Sequence, residues 1–266
     1  MDAQTSLYQA LAQLEAANQA GALCLVVRSQ GSTPRHSGSK MLVYADGTII
    51  GTVGGGEMEN RVIQAALQAI ANGRPSILEY SMTDPQRGDP GVCGGQVEVY
   101  VEPVLPKPTL VVIGSGHVGK AVVHLANWLG FYVVVNDDRP GFCTPESTPG
   151  ADLYLPCSMA ELPQKLTITP WTYLVLTTRG VNVDIQGLPV LLDSPAAYIG
   201  VIGSQRRWAI ARKEMLALGV AEEKLQRVHS PIGLELNAET PEEIAVSILA
   251  EILMLRNDGS GKPMRN

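Results

Sequence analysis

Residues 109–138 constrain this chain more than any other stretch. The apolar run Thr109-Leu-Val-Val-Ile113 has the length and β-branched content of a buried strand. It leads directly into Gly114-Ser115-Gly116-His117-Val118-Gly119, and from His117 to Leu129 apolar residues recur at helical spacing. A second strand-like run, Phe131 to Val135, ends in Asn136-Asp137-Asp138. A strand, a glycine turn, a helix and a second strand ending in an acid about 20 residues on make the dinucleotide-binding βαβ fingerprint. Each part has a mechanical reason. Gly114 allows the tight turn, Gly116 lets the backbone approach a pyrophosphate, and Gly119 lets the helix pack on the strand. The helix N-terminus, headed by His117, offers N–H groups to an anion, and an acid at Asp137 or Asp138 accepts from ribose hydroxyls.

At 266 residues, with 45% hydrophobic and 17% charged residues, the chain is globular and long enough for two ordinary domains. A formal charge of −6 lacks the basic footprint of nucleic-acid binding. No run has the length of a membrane span, and the N-terminus has no charged-then-apolar signal pattern, so a cytoplasmic location with no membrane partner is expected. The four cysteines contain no CxxC pair, which points away from a disulfide framework or a zinc site. Cys24 lies in an apolar run and reads as a small buried hydrophobe. Cys93 stands beside Gly94-Gly95 in a loop, where a thiol can serve as a soft metal ligand or a nucleophile, or else be merely structural.

Before the fingerprint, an amphipathic helix is expected over 5–19 and a buried strand over 22–28. A hairpin follows around Asp46-Gly47, then a helix from Glu57 to about Ala71, and strands over 77–82 and 96–102. Pro103-Val-Leu-Pro-Lys-Pro108 breaks the pattern as a linker. Beyond it strands and helices alternate, with a helix expected over 159–166 and a last one from Pro241 to Leu255, capped by Thr240. The expected fold class is α/β: a small α+β domain over 1–104, a linker over 105–108, and a Rossmann-like, doubly wound parallel-sheet domain over 109–266.

Three glycine-rich loops mark the first domain. Gly54-Gly55-Gly56 between a strand and a helix has the shape of an anion cradle, or else of a tight turn that needs glycine. Glu57 and Glu59 in the first helical turn suit the dipole whatever the function. Gln30-Gly-Ser-Thr-Pro-Arg35 carries the Ser32 hydroxyl and the Arg35 cation, and Cys93-Gly94-Gly95 carries the thiol. Arg35, Gly54 to Gly56, Glu57 and Cys93 are expected to line one pocket. In the second domain Gly203-Ser204-Gln205-Arg206-Arg207 follows a strand and opens a helix, which makes Ser204, Arg206 and Arg207 a second candidate phosphate clamp or a solvated helix start. His229 lies in a turn and is open to either reading.

Taken together, these blocks resemble the XdhC/CoxI family of xanthine dehydrogenase accessory factors. The resemblance rests on Gly31-Ser-Thr-Pro-Arg35, Gly51-Thr-Val-Gly-Gly-Gly56 with Glu59, and Cys93-Gly94-Gly95. In the second domain it rests on Ile113 to Gly119, Asp137-Asp-Arg-Pro140, Tyr198 to Ser204, Ser230-Pro-Ile-Gly-Leu234 and Thr240 to Glu251. It implies a chaperone that binds the molybdenum cofactor, as molybdopterin or its nucleotide form, and protects it while a sulfido ligand is installed. The cofactor then passes to a molybdenum hydroxylase. A cysteine desulfurase partner and a homodimer are implied with it. Many members carry Cys directly after the triple glycine; here that position is Glu57, which leaves Cys93 as the glycine-loop thiol and the candidate metal ligand. Two other classes stay open: an NAD(P)-dependent oxidoreductase, and an adaptor that senses a nucleotide.

Overall fold

The computed structural model describes residues 6–81 and 94–265. The chain divides into two compact units, one ending at Pro106 and the other beginning at Lys107.

In the first unit, α1 (Leu7–Ala16) is started by a capping box, in which Ser6 and Gln9 satisfy each other's backbone N–H groups. The strands β1 (Gly21–Gln30), β2 (Lys40–Tyr44), β3 (Ile49–Gly51), β4 (Ser76–Ser81) and β5 (Gln96–Val104) form one antiparallel sheet in the order β3-β2-β1-β5-β4. On β1 the buried residues Ala22, Cys24 and Val26 alternate along one face, opposite Val43 and Met41 of β2 and Val101 and Val99 of β5. Helix α2 (Gly56–Asn72) packs on β1 and β5 through Met58, Val62, Ala66, Ala69 and Ile70. Leu42 joins Ala10 and Leu14 of α1 in a smaller cluster. Cys24 is fully buried, and burial pushes its thiol up to about 12, so it behaves as a small hydrophobe. The expected break at Pro103 is absent, because Pro103 continues β5 opposite Ala22. By that point β4 has ended, its Ser76 facing Val101, so no neighbour on that side needs the N–H that proline lacks.

In the second unit, β6 (Thr109–Ile113), β7 (Tyr132–Asn136), β8 (Leu153–Leu155), β9 (Thr172–Leu176), β10 (Tyr198–Val201) and β11 (Val228–His229) make a six-stranded parallel sheet. Its order, β11-β10-β9-β6-β7-β8, is that of a Rossmann fold, with the switch point between β6 and β9. Strand β9 is buried throughout, as expected of a strand covered on both faces. One core packs α3 (His117–Trp128) and α8 (Pro241–Arg256) on the sheet; the other holds α5 (Val181–Leu191) and α6 (Gln205–Ala217), with α4 (Leu162–Lys165) and α7 (Glu222–Leu225) as single turns. The helix expected over 159–166 is a 3-10 turn, Met159–Glu161, followed by one α-turn, Leu162–Lys165. Strand β11 pairs through only Val228 and His229, too short to leave a period in the sequence.

Candidate functional site

The glycine loops of the first unit converge. Ser32 bridges to Gly94, and a Cβ on Gly31 would sit 3.1 Å from the Gly94 carbonyl. A Cβ on Gly95 would lie 2.6 Å from the Thr33 methyl, and one on Gly54 would lie 2.8 Å from the Pro34 ring. These closest approaches are available only to residues without a side chain. Cys93 lies outside the described residues.

The triple glycine is already engaged. Glu59, one turn into α2, folds its carboxylate back over the loop and accepts from the Val53 N–H at 3.1 Å, the Gly55 N–H at 3.2 Å and the Thr52 hydroxyl. Burial pushes this carboxyl up, but the Thr52 and loop N–H donors outweigh burial and hold it below the usual range. Donors that the sequence offers to a ligand are thus taken by the chain itself. Glu57 turns along the helix to Arg61, Nε to Oε1 3.0 Å. Ser32 and Arg35, by contrast, are exposed, and among the described residues their side chains have no polar partner. Replacing Glu59 with alanine strands the two N–H groups and the hydroxyl. It is expected to cost about 1–3 kcal/mol, read as a lower urea midpoint at pH 7.

The fingerprint loop of the second unit is also closed from within. Asp137, 3% exposed, receives the Ser115 N–H at 2.9 Å and the Ser115 hydroxyl at 3.1 Å on Oδ2. Arg139 clamps the other side, with its N–H and Nε on Oδ1 at 3.0 and 2.9 Å and its Nη2 on Oδ2 at 2.8 Å. Burial raises the Asp137 carboxyl, but Arg139 and Ser115 hold it well below the carboxylate range. The ribose-accepting role expected of Asp137 has no oxygen to spare. Asp138 is half-exposed and paired bidentately with Arg179 at 2.6 and 2.8 Å. His117 is exposed at the head of α3 and lines an apolar groove with Lys120, His124, Pro241 and Val246. Ser204 caps its own helix by accepting from the Arg207 N–H at 3.2 Å, and Arg206 is exposed beside it.

The XdhC Rossmann domain family matches residues 110–252, and the XdhC and CoxI family matches residues 14–81. This chain belongs to the XdhC/CoxI family. Among its relatives are the Escherichia coli uncharacterized protein YqeB and a Bacillus subtilis protein described as a probable xanthine dehydrogenase component. YqeB is 37% identical over 260 residues, which is 96% of this chain and 47% of YqeB. The Bacillus subtilis protein is 32% identical over 158 residues, 59% of this chain and 46% of that one. The chain thus spans about half the length of these two curated relatives. The Escherichia coli molybdenum cofactor insertion chaperone PaoD is 22% identical over 264 residues, 88% of this chain and 83% of PaoD. A crystal structure of a xanthine dehydrogenase from Bacillus halodurans shares the fold, with a TM-score of 0.51 at 22% identity over 99% of this chain and 98% of that one.

Several XdhC-family blocks in the second unit hold the fold together. In Ser230–Leu234 the Ser230 hydroxyl and the Ile232 N–H donate to the Val201 carbonyl, while the Gly233 N–H donates to Glu251 of α8 at 2.9 Å. Glu251 also takes the Tyr198 hydroxyl and faces His229 Nδ1 at 3.6 Å, with the two rings stacked 4.7 Å apart. Burial and the neighbouring carboxylate push the Tyr198 hydroxyl strongly up. His229 is thereby a packed member of a clasp between β10, β11 and α8. Sequence reasoning missed a second network. Asp184, fully buried in α5, takes the Thr178 hydroxyl and Arg207 Nη2 at 2.6 Å, and Arg207 also donates to Thr178 Oγ1 at 2.7 Å. The available signal was an aspartate at helical spacing with Gly187, Leu188 and Leu191, on the face of Val181–Leu191 that is buried. Among the described residues no three His, Cys, Asp or Glu side chains gather as a metal site.

Proposed function

We propose that this chain is a molybdenum cofactor chaperone. It binds the cofactor as cargo, protects it while a cysteine desulfurase supplies the terminal sulfido ligand, and passes it to a molybdenum hydroxylase such as a xanthine dehydrogenase. The observation that carries the reading is the convergence of the Gly31–Arg35, Gly54–Gly56 and Gly94-Gly95 loops. There the Ser32 hydroxyl and the Arg35 guanidinium are left without a polar partner among the described residues.

A phosphate does not fit the Val53–Gly55 N–H groups, which Glu59 fills. It fits Arg35 and Ser32, a guanidinium and a hydroxyl with free donors. Cys93, next in sequence to Gly94, is the soft ligand this reading assigns to the molybdenum. Relatedness to PaoD, a molybdenum cofactor insertion chaperone by name, supports the same reading. Hydride transfer is less well supported, since Asp137 is saturated by Ser115 and Arg139. Among the described residues no helix is long and apolar enough to cross a membrane. A cytoplasmic homodimer completes the proposal.

Delivery tests it. Protein loaded anaerobically with sulfurated cofactor is mixed with an apo molybdenum hydroxylase, and the recovered hydroxylase activity is followed. Activity that rises with loaded protein, and faster than with free cofactor at equal molybdenum, is expected. Equal rates from free cofactor and loaded protein would refute a delivery role.

A further inference from the structure

We propose that the outer face of α3 and α8 is a two-fold interface, on which a second copy of this chain docks with α3 of each copy against α8 of the other. The inference rests on the homodimer of the proposed function, not on its cargo, and assigns that dimer its surface. The first observation is the composition of α8. From Ile244 to Leu255 its one charged residue is Glu251, which turns inward to the Tyr198 hydroxyl and the Gly233 N–H. A helix apolar on every side is a buried helix, yet Val246 is 49% exposed, and Ala250 and Leu253 continue its stripe at i+4 and i+7. Beside that stripe a groove of about 460 Å³ runs between α8 and α3, lined by Ala121, Leu125 and Ala245. Trp128 stands 77% exposed at the end of α3, on the stripe that Ala121 and His124 begin. Apolar stripes with an exposed tryptophan have the composition of an interface core.

The charges on the rims choose the occupant. The α3 rim of the groove carries Lys120 between the imidazoles of His117 and His124, and the α8 rim carries Glu242. Among the described residues none of these four side chains has a polar partner. A cation on one rim and an acid on the other are unmatched within one copy and self-complementary between two. The apolar stripes alone suit many partners; the opposed rims select a second copy. Both helices follow strands of the parallel sheet, and the groove takes the first turns of each. A two-fold axis running along the helices therefore sets Lys120 of each copy against Glu242 of the other, and the contact is made twice. Trp128 lies eleven residues beyond His117, and Leu253 eleven beyond Glu242, so at ~1.5 Å per residue the two fall level. The tryptophan of one copy then seats on Ala250 and Leu253 of the other.

Sedimentation equilibrium of the full chain, with charge exchange between copies, tests this. Lys120→Glu and Glu242→Lys each set like charges against one another twice per dimer, and each is expected to raise the dimer dissociation constant about 10-fold. Mixing the two variants restores opposite charges at both contacts, so a mixed dimer of near-parental affinity is expected. A role for either residue within its own chain would not be rescued by mixing. Trp128→Ala, which changes no charge, is expected to weaken the dimer at least ~30-fold, on the scale of an interface hot spot. All three side chains are exposed, and an unchanged far-UV circular dichroism spectrum checks the fold. A parent that stays monomeric would overturn this face and the homodimer together, while cofactor retention is judged separately. A parental dimer that neither Trp128→Ala nor either charge reversal weakens would overturn the face and leave the homodimer standing. A mixture no tighter than the single variants would overturn the pairing of α3 with α8.

Discussion

Replacing Asp137 with alanine is expected to destabilise the second unit by about 3 kcal/mol and lower its melting temperature by roughly 10 °C. The loss comes mainly from donors left behind. Ser115 is fully buried, so its N–H and hydroxyl lose their acceptor in a place water reaches poorly. Arg139 is 36% exposed and partly rehydrates, so its share is smaller. The sign with pH follows from the depressed carboxyl. Asp137 stabilises the fold fully above its unfolded value near ~4 and loses that contribution as pH falls toward the lower folded value. Asp137→Asn is therefore expected to flatten the acid limb of stability against pH between about 4 and 2. A melting temperature within a degree of the parent at pH 7 would show that the bonds to Ser115 contribute nothing net.

Gly119→Ala is expected to cost about 3 kcal/mol, because its Cβ has no room. It would press into the Gly114 carbonyl and stand 3.0 Å from Thr177 Oγ1, forcing α3 off the ends of β6 and β9. Gly116 is the contrast. It has φ −73°, and a Cβ there would meet nothing within 4 Å. Gly116→Ala is therefore expected to change stability by less than about 1 kcal/mol. Urea denaturation of both variants separates packing from ligand approach within one motif. Equal losses would contradict the assignment of Gly119 to helix–strand packing.

The parallel sheet was legible because two apolar strands and the glycine spacing of 114–119 leave few alternatives. The loops of the first unit were legible as glycine-rich loops, while the structure adds why the glycines are needed: Gly31 and Gly95 pass close to another backbone, and Gly54 to the Pro34 ring. What stayed hidden was which acceptor each donor would choose. Glu59 lies one helical turn from Gly55, and Asp137 lies 22 residues from Ser115, yet each supplies the anion that its loop was expected to take from a ligand. A residue pattern specifies that N–H groups are available, while their partner is set by the tertiary path. The same holds for Arg207, grouped by sequence with Arg206 as a clamp and turned inward by the buried Asp184. Pro103 misled for a local reason, since a proline is harmless in a strand whose neighbour has already ended.

The most direct test of the chaperone account is retention of cargo. The full chain is incubated anaerobically with molybdenum cofactor and desalted, and the molybdenum and pterin that stay bound are measured for the parent, Arg35→Ala and Cys93→Ser. The account predicts near-stoichiometric retention by the parent and a clear loss in both variants. Absence of retained molybdenum and pterin in the parent would contradict it.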